Sequence, residues 1–296
     1  MFQSNKNLFI LEQYFVAVEQ RFVHTETMIP RAIMKIKREK SYKIIGPSSK
    51  KDWKEKSAQW QANSAFWIKI ITEKLDPFRS QLTNKAVLEY FKGKNNLAIL
   101  DAGCGEGYLC RLLAQNGHKT FGLDFNPALI EAALAKEKKK PLGIEYSLGD
   151  IKKLPYKNSA FDAILSNHSI NEIDSPKIAL TEFARVLKRG GRAILFFLHP
   201  CFDLNLEDFK GTFTKYYFKK VKITRECFAV SGIRSPSPYS YLHLSLSEWI
   251  ETIIKAGFSI ETIKEPHPGL VVMERDAWWK ENFKKPVFIL IQAKKN

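Results

Sequence analysis

Between Leu97 and Leu198 the chain repeats one unit: a short apolar run, a polar turn and an amphipathic stretch. Leu97–Asp101, Thr120–Asp124, Ile144–Asp150, Phe161–Ser166 and Arg192–Leu198 read as strands. Leu109–Gln115, Pro127–Lys139 and Pro176–Lys188 read as helices, the first closed by Asn116-Gly117 and the second capped by Asn126. Strands joined through helices run parallel, because a crossover returns the chain to the same end of the sheet. This predicts an α/β fold, a doubly wound sheet with helices on both faces. Leu246–Ala256 reads as a helix ended by Gly257. Phe258–Lys264 and Val287–Ala293 have no obvious crossover helix between them and are expected to pair antiparallel.

Either side of this rhythm the pattern changes. Residues 7–24 carry a helical stripe of Leu8, Leu11, Phe15, Val18 and Phe22. Residues 28–58 are Lys-rich, broken at Gly46-Pro47-Ser48-Ser49, and read as an arm or linker. From Trp53 to Phe91 helix is expected, with Trp60, Trp67, Ile71, Leu75 and Phe78 on one side. Asp76-Pro77 is expected to start a new helix. Residues 200–244 hold Tyr216, Tyr217, Phe218, Tyr239 and Tyr241 and a Ser-Pro-Ser-Pro run. The expected division is 1–95 as an N-terminal helical cap or arm, 96–199 as a ligand-binding core, 200–245 as a variable substrate-lid insertion, and 246–296 as the helix and strands that complete the core.

Net charge is +16, which invites a nucleic-acid reading. Two counts weigh against it. Only 11 of the 47 basic residues are Arg, the better residue for bidentate phosphate recognition. Residues 1–95 carry 18 basic and 9 acidic groups, so much of the excess precedes the segment assigned the chemistry. Nucleic acid is therefore the less favoured partner. No run of about 18 apolar residues suggests a membrane span. No signal-peptide layout is visible, and a cytoplasmic protein is expected. The four cysteines form no C-x-x-C pair and the six histidines no ligand spacing, so no metal site is expected.

Ligands of doubly wound sheets bind beyond the carboxyl ends of the strands, where strand order reverses. Here the first strand runs into Asp101-Ala102-Gly103-Cys104-Gly105-Glu106-Gly107, and the second ends at Asp124, placed to accept from both hydroxyls of a ribose. The dinucleotide pattern G-x-G-x-x-G fails, because its third glycine falls at Tyr108. Asp101 would repel a pyrophosphate and suits an amine. A nucleoside with a positive, non-phosphorylated tail fits: S-adenosylmethionine.

Five motifs stand in order: Leu100 to Gly107, Gly122-Leu123-Asp124, Gly149-Asp150-Ile151, Phe161-Asp162-Ala163-Ile164, and Arg185 to Gly191. Together, over about residues 97–198, they resemble the class I S-adenosylmethionine-dependent methyltransferases, and more narrowly the type 11 methyltransferase domain. The resemblance implies a Rossmann-like seven-stranded sheet with a C-terminal antiparallel pair and an N-terminal helical cap. It also implies roles. Gly103 and Gly105 line the methionine portion, Asp101 meets its amino group, and Asp124 holds the ribose. Asp150 accepts from the adenine amine and Ile151 meets the ring. Asn167 faces the methionine carboxylate or the sulfonium, and Arg79 pairs with that carboxylate.

His168, His199 and His243 are the candidate bases for an acceptor that must lose a proton. His199-Pro200-Cys201-Phe202 and Glu265-Pro266 resemble a bacterial subset acting mostly on small molecules, so a small-molecule acceptor and a monomer or homodimer are expected. Two alternatives stay open: an RNA or protein methyltransferase using the basic arm, and a cofactor-binding protein without transferase activity.

Overall fold

The computed structural model describes residues 42–45, 50–201, 217–225, 227, 229–275, 279–280, 283 and 286–296. The expected 7–24 stripe and the Gly46–Ser49 break lie outside them. So does part of the 200–245 segment.

Seven strands form the main sheet: β2 (Ala98–Ala102), β3 (Lys119–Asp124), β4 (Glu145–Leu148), β5 (Phe161–Asn167), β6 (Leu187–Leu198), β11 (Phe258–Lys264) and β12 (Phe288–Lys295). Their order is β11-β12-β6-β5-β2-β3-β4, so the winding reverses between β2 and β5. The β4, β3, β2, β5 and β6 pairings are parallel. β12 runs antiparallel to β11, as expected, and also to β6.

The sheet is buried on both faces. Ile99, Leu165 and Phe196 pack on one side against α2 (Asn84–Phe91) and α3 (Tyr108–Gln115). Leu100, Ile164 and Phe197 pack on the other against α5 (Pro176–Val186) and α6 (Leu246–Lys255). Neighbours such as Ile99 and Leu100 face opposite sides because strand side chains alternate. Each such buried side chain stabilises the fold by about 1.5–3 kcal/mol. α4 (Pro127–Lys139) begins where predicted, with the Asn126 side chain accepting from the amides of Ala128 and Leu129. α6 has a full capping box between Ser245 and Glu248.

Several boundaries differ from expectation. α5 stops at Val186, and Leu187 and Lys188 already belong to β6. A register shift between Phe161 and Ala163, with Gly190 at φ +74°, lets β6 absorb the turn read from Gly190-Gly191. The helix expected at Asp76-Pro77 does start there, Phe78 N–H donating to Asp76 Oδ1 (3.0 Å), and it passes through a π-helical turn at Arg79–Thr83 into α2.

The Lys-rich arm is not wholly an arm. Tyr42–Ile45 form strand β1, which stands outside the strand–helix alternation, and α1 spans Lys50–Thr72. β1 pairs antiparallel with β7 (Val221–Arg225), which also pairs with β10 (Tyr239–His243). The two remaining short strands, β8 (Ala229–Val230) and β9 (Ile233–Arg234), form a hairpin. α1 is fastened to this second sheet from its own side. Asn63 Nδ2 donates to Ser237 O (3.1 Å), Ser237 N–H donates to Asn63 Oδ1 (3.0 Å), and Ser240 Oγ donates to Gln59 Oε1 (3.0 Å). No helix among the described residues is long and apolar enough to cross a membrane.

Candidate active site

The winding reversal between β2 and β5 opens into a cavity of about 510 Å³. Its floor is the loop after β2. Gly103 and Gly105 sit at φ +90° and +56°, where side chains are strained. At Gly103 a Cβ would overlap Ser169, which approaches from the loop after β5. At Gly105 a Cβ would stand in open space. Gly103 and Cys104 N–H both donate to Leu123 O (2.7 and 3.0 Å), seating the loop on β3.

The acids are arranged around this floor. Asp124 Oδ2 accepts from Gly105 N–H and Oδ1 from Asn126 N–H, each at 2.9 Å. Burial raises its carboxyl above the usual range against those bonds. Asp101 Oδ2 faces the Cys110 thiol at 3.6 Å, while its buried Oδ1 has no hydrogen-bond partner among the described residues. Burial pushes Asp101 up to about 7, Asp124 adding to the rise while Cys110 and Arg79 oppose it. An orphaned carboxylate oxygen calls for a donor, and an amine supplies one. Asp150 and Ile151 lie on the loop after β4, where Asp150 Oδ1 accepts from Lys152 N–H at 2.8 Å. Glu106 is fully buried in the lining, compensated by Arg111 (2.8 Å) and Lys136.

The cavity lining contains all eight residues expected to bind cofactor: Arg79, Asp101, Gly103, Gly105, Asp124, Asp150, Ile151 and Asn167. Arg79 sits 3.2 Å from Asp76 and 5.7 Å over the Tyr108 ring. Asn167 Oδ1 is buried without a hydrogen-bond partner among the described residues.

The three candidate bases part company. His168 lines the cavity at φ +59°, its ring edge-on to Phe196 and Phe288. Burial first and Arg79 second lower it to about 3, so the imidazole is neutral. His199 and His243 are not in the lining. His199 Nδ1 accepts from Cys201 N–H (3.0 Å), and its Nε2 lies 3.1 Å from Glu265. His243 Nε2 lies 3.1 Å from Tyr217 O.

Opposite the glycine loop the wall is aromatic: Trp60 and Trp67 from α1, Phe78, Tyr239 from β10, and Phe288. One further residue of the site was not foreseen from the sequence. Glu172, on a short turn after β5, accepts from Trp60 Nε1 on Oε2 (2.7 Å) and from Tyr239 OH on Oε1 (2.5 Å). Its partners lie 112 and 67 residues away, so no local spacing marks it. Arg225 of β7 lines the same end.

Residues 100–195 match the methyltransferase domain family. A demethylmenaquinone methyltransferase of Renibacterium salmoninarum is 27% identical over 184 residues, 60% of this chain and 73% of that protein. A malonyl-[acyl-carrier protein] O-methyltransferase of Hamiltonella defensa is 39% identical over 98 residues, 33% of this chain and only 36% of that protein. Among solved structures, a putative S-adenosylmethionine-dependent methyltransferase from Listeria monocytogenes superposes with a TM-score of 0.57 at 24% identity, covering 71% of this chain and 95% of its own, a likeness of fold. Sheet order, glycine loop, strand-end acids and family match define an enzyme that uses S-adenosylmethionine. The chain is a class I S-adenosylmethionine-dependent methyltransferase.

Proposed function

We propose that the enzyme transfers the methyl group to a small-molecule acceptor seated between the strand-end loops and the aromatic wall. The observation that carries this is the continuity of one cavity, from Asp101, Gly105 and Asp124 to Trp60, Trp67 and Tyr239 of the aromatic wall. Such a cavity suits a small ligand, since pockets of this kind run roughly 300–1,000 Å³. The two relatives are named for demethylmenaquinone and for malonyl-[acyl-carrier protein], which supports a small acceptor group without choosing between them.

The bound cofactor supplies an electrophilic methyl group on a sulfonium. In this reading Asp101 Oδ1 accepts from its amine and Arg79 pairs with its carboxylate. Asp124 takes the ribose hydroxyls through lone pairs its amide bonds leave over. Asp150 and the backbone of Ile151 take the adenine. Asn167 and a neutral His168 line the transfer end as hydrogen-bonding groups, since a histidine lowered to about 3 is a weak base. Alignment and exclusion of water supply most of the rate. His199 and His243 have no place in this mechanism.

The test is a transfer assay with methyl-labelled cofactor. It is offered total RNA, total protein and the low-molecular-weight fraction of a cell extract together. Label in the small-molecule fraction is expected. Label confined to RNA or protein overturns the proposal.

A further inference from the structure

Resting on that reading, we propose that Glu172 is the positioning residue of the acceptor end. It clamps Trp60 and Tyr239 to the loop carrying Asn167 and His168, and so shapes a slot for a planar, uncharged ring.

Three observations converge. First, Glu172 is 7% exposed yet borders the cavity, and each carboxylate oxygen receives a donor from a different part of the chain. Trp60 comes from α1 and Tyr239 from β10, whereas Glu172 follows directly on the core strand β5. One carboxylate therefore sets how far the aromatic wall stands from the transfer end. Bonds from donors to a carboxylate are short and among the stronger ones, so this spacing is stiff.

Second, the clamp engages the polar atoms of Trp60 and Tyr239. What these two residues add to the lining is ring hydrocarbon, continued by Trp67, Phe78 and Phe288. The rings brace each other. Trp60 stacks on Trp67 with centroids 6.4 Å apart, and Tyr239 meets Trp60 edge-on at 6.2 Å. Rings this close form a continuous wall rather than a cage around a cation, and a wall favours a flat apolar face.

Third, the acids near this end are already compensated. Asp76 is paired with Arg79, and Glu172 is bonded by its two donors. Arg225 lines this end together with the Glu172 carboxylate, so an acceptor meets both signs of charge and a neutral ring suits it, whereas a bulky saturated one would not lie flat.

The test uses the full chain with bound S-adenosylhomocysteine and three calorimetric probes: 2-naphthol, 2-decalol and 2-naphthoate. The expected result is saturable 2-naphthol binding, with the other two at least tenfold weaker. Glu172→Gln should leave S-adenosylhomocysteine affinity within twofold and reduce the preference over 2-decalol to under threefold. It should also shift the indole N–H resonance of Trp60, assigned with Trp60→Phe. Should Glu172→Gln not fold, Tyr239→Phe removes one bond of the clamp and is read the same way. Equal binding of 2-naphthol and 2-decalol overturns the proposal, as does a variant that keeps both the preference and the resonance. Failure to bind S-adenosylhomocysteine would instead strike the cofactor site. Normal S-adenosylhomocysteine affinity without the preference strikes this inference alone.

Discussion

Asp124 accepts a hydrogen bond from the backbone of Gly105 at 2.9 Å, so the acid ending one core strand braces the loop that follows its neighbour. The carboxylate therefore shapes the floor of the site as well as offering lone pairs to a ligand. Asp124→Ala should weaken S-adenosylhomocysteine binding by roughly 1.5–3 kcal/mol, the scale of hydrogen bonds to a charged group. Calorimetry checks this, and an unchanged affinity removes the ribose role.

Gly105→Val should abolish cofactor binding while the sheet stays folded. A branched Cβ would fill the open space above the loop and strain a backbone at φ +56°. Gly117→Val is the control, because Gly117 has φ +81° but lies outside the cavity lining. It should lower the melting temperature and leave affinity alone. Near-normal binding by Gly105→Val would refute the assignment of the loop.

Asp101 should make cofactor binding pH-dependent. Its folded value of about 7 lies above that of an unfolded aspartate, so the ligand-free protein binds the extra proton. Stability of the free protein should then fall as pH rises from about 4 towards 7, and level off above that. An amine needs the ionised carboxylate, so affinity for S-adenosylhomocysteine should rise up to tenfold per pH unit below about 7 and then flatten. Titrations from pH 5.5 to 8 should show this slope in the parent and not in Asp101→Asn.

His199 should prove structural. Replacing it with Ala strands the Cys201 N–H and should cost about 1–3 kcal/mol of stability. Its folded value is lowered, chiefly by burial against the pull of Glu265, so its contribution is present at neutral pH and lost as pH falls below the unfolded value. Chemical denaturation at pH 5 and 8 should show that dependence shrinking in His199→Ala. A large loss of S-adenosylhomocysteine affinity would return His199 to the site.

Removing residues 1–45 takes β1 from one edge of β7 and leaves the backbone groups of that edge unpaired, β10 still holding the other. The truncated protein should melt earlier, as followed by circular dichroism. If melting is unchanged while tight, salt-sensitive RNA binding disappears, the basic segment serves nucleic acid instead.

The central sheet was legible because its strands are long, apolar and separated by helices with marked ends. Asn126 before Pro127 and Gly257 after α6 are examples. The acids and glycines of the cavity floor were legible for the same reason, since each sits at a strand end that the pattern locates. Tyr42–Ile45 was not, because it stands outside the strand–helix alternation and the pairing with β7 lies some 180 positions away. Glu172 was invisible for a related reason: its meaning comes from Trp60 and Tyr239. His199 follows the fifth strand and His243 lies in the variable segment, positions that suggest the site, yet their hydrogen bonds at Cys201 and Tyr217 account for them away from the cavity.

The three-stranded sheet of β1, β7 and β10 joins a segment before the core to one inserted after β6. Anyone wishing to transplant acceptor preference between related enzymes is therefore dealing with a discontinuous module. Grafting residues 200–245 alone would set foreign β7 and β10 beside a native β1 and a native α1, with Gln59 and Asn63 addressed to the wrong partners and the Trp60 ring set against a foreign residue 239. The exchangeable unit is residues 42–72 together with 217–245, and a chimera that swaps only one half should inherit the preference of neither parent.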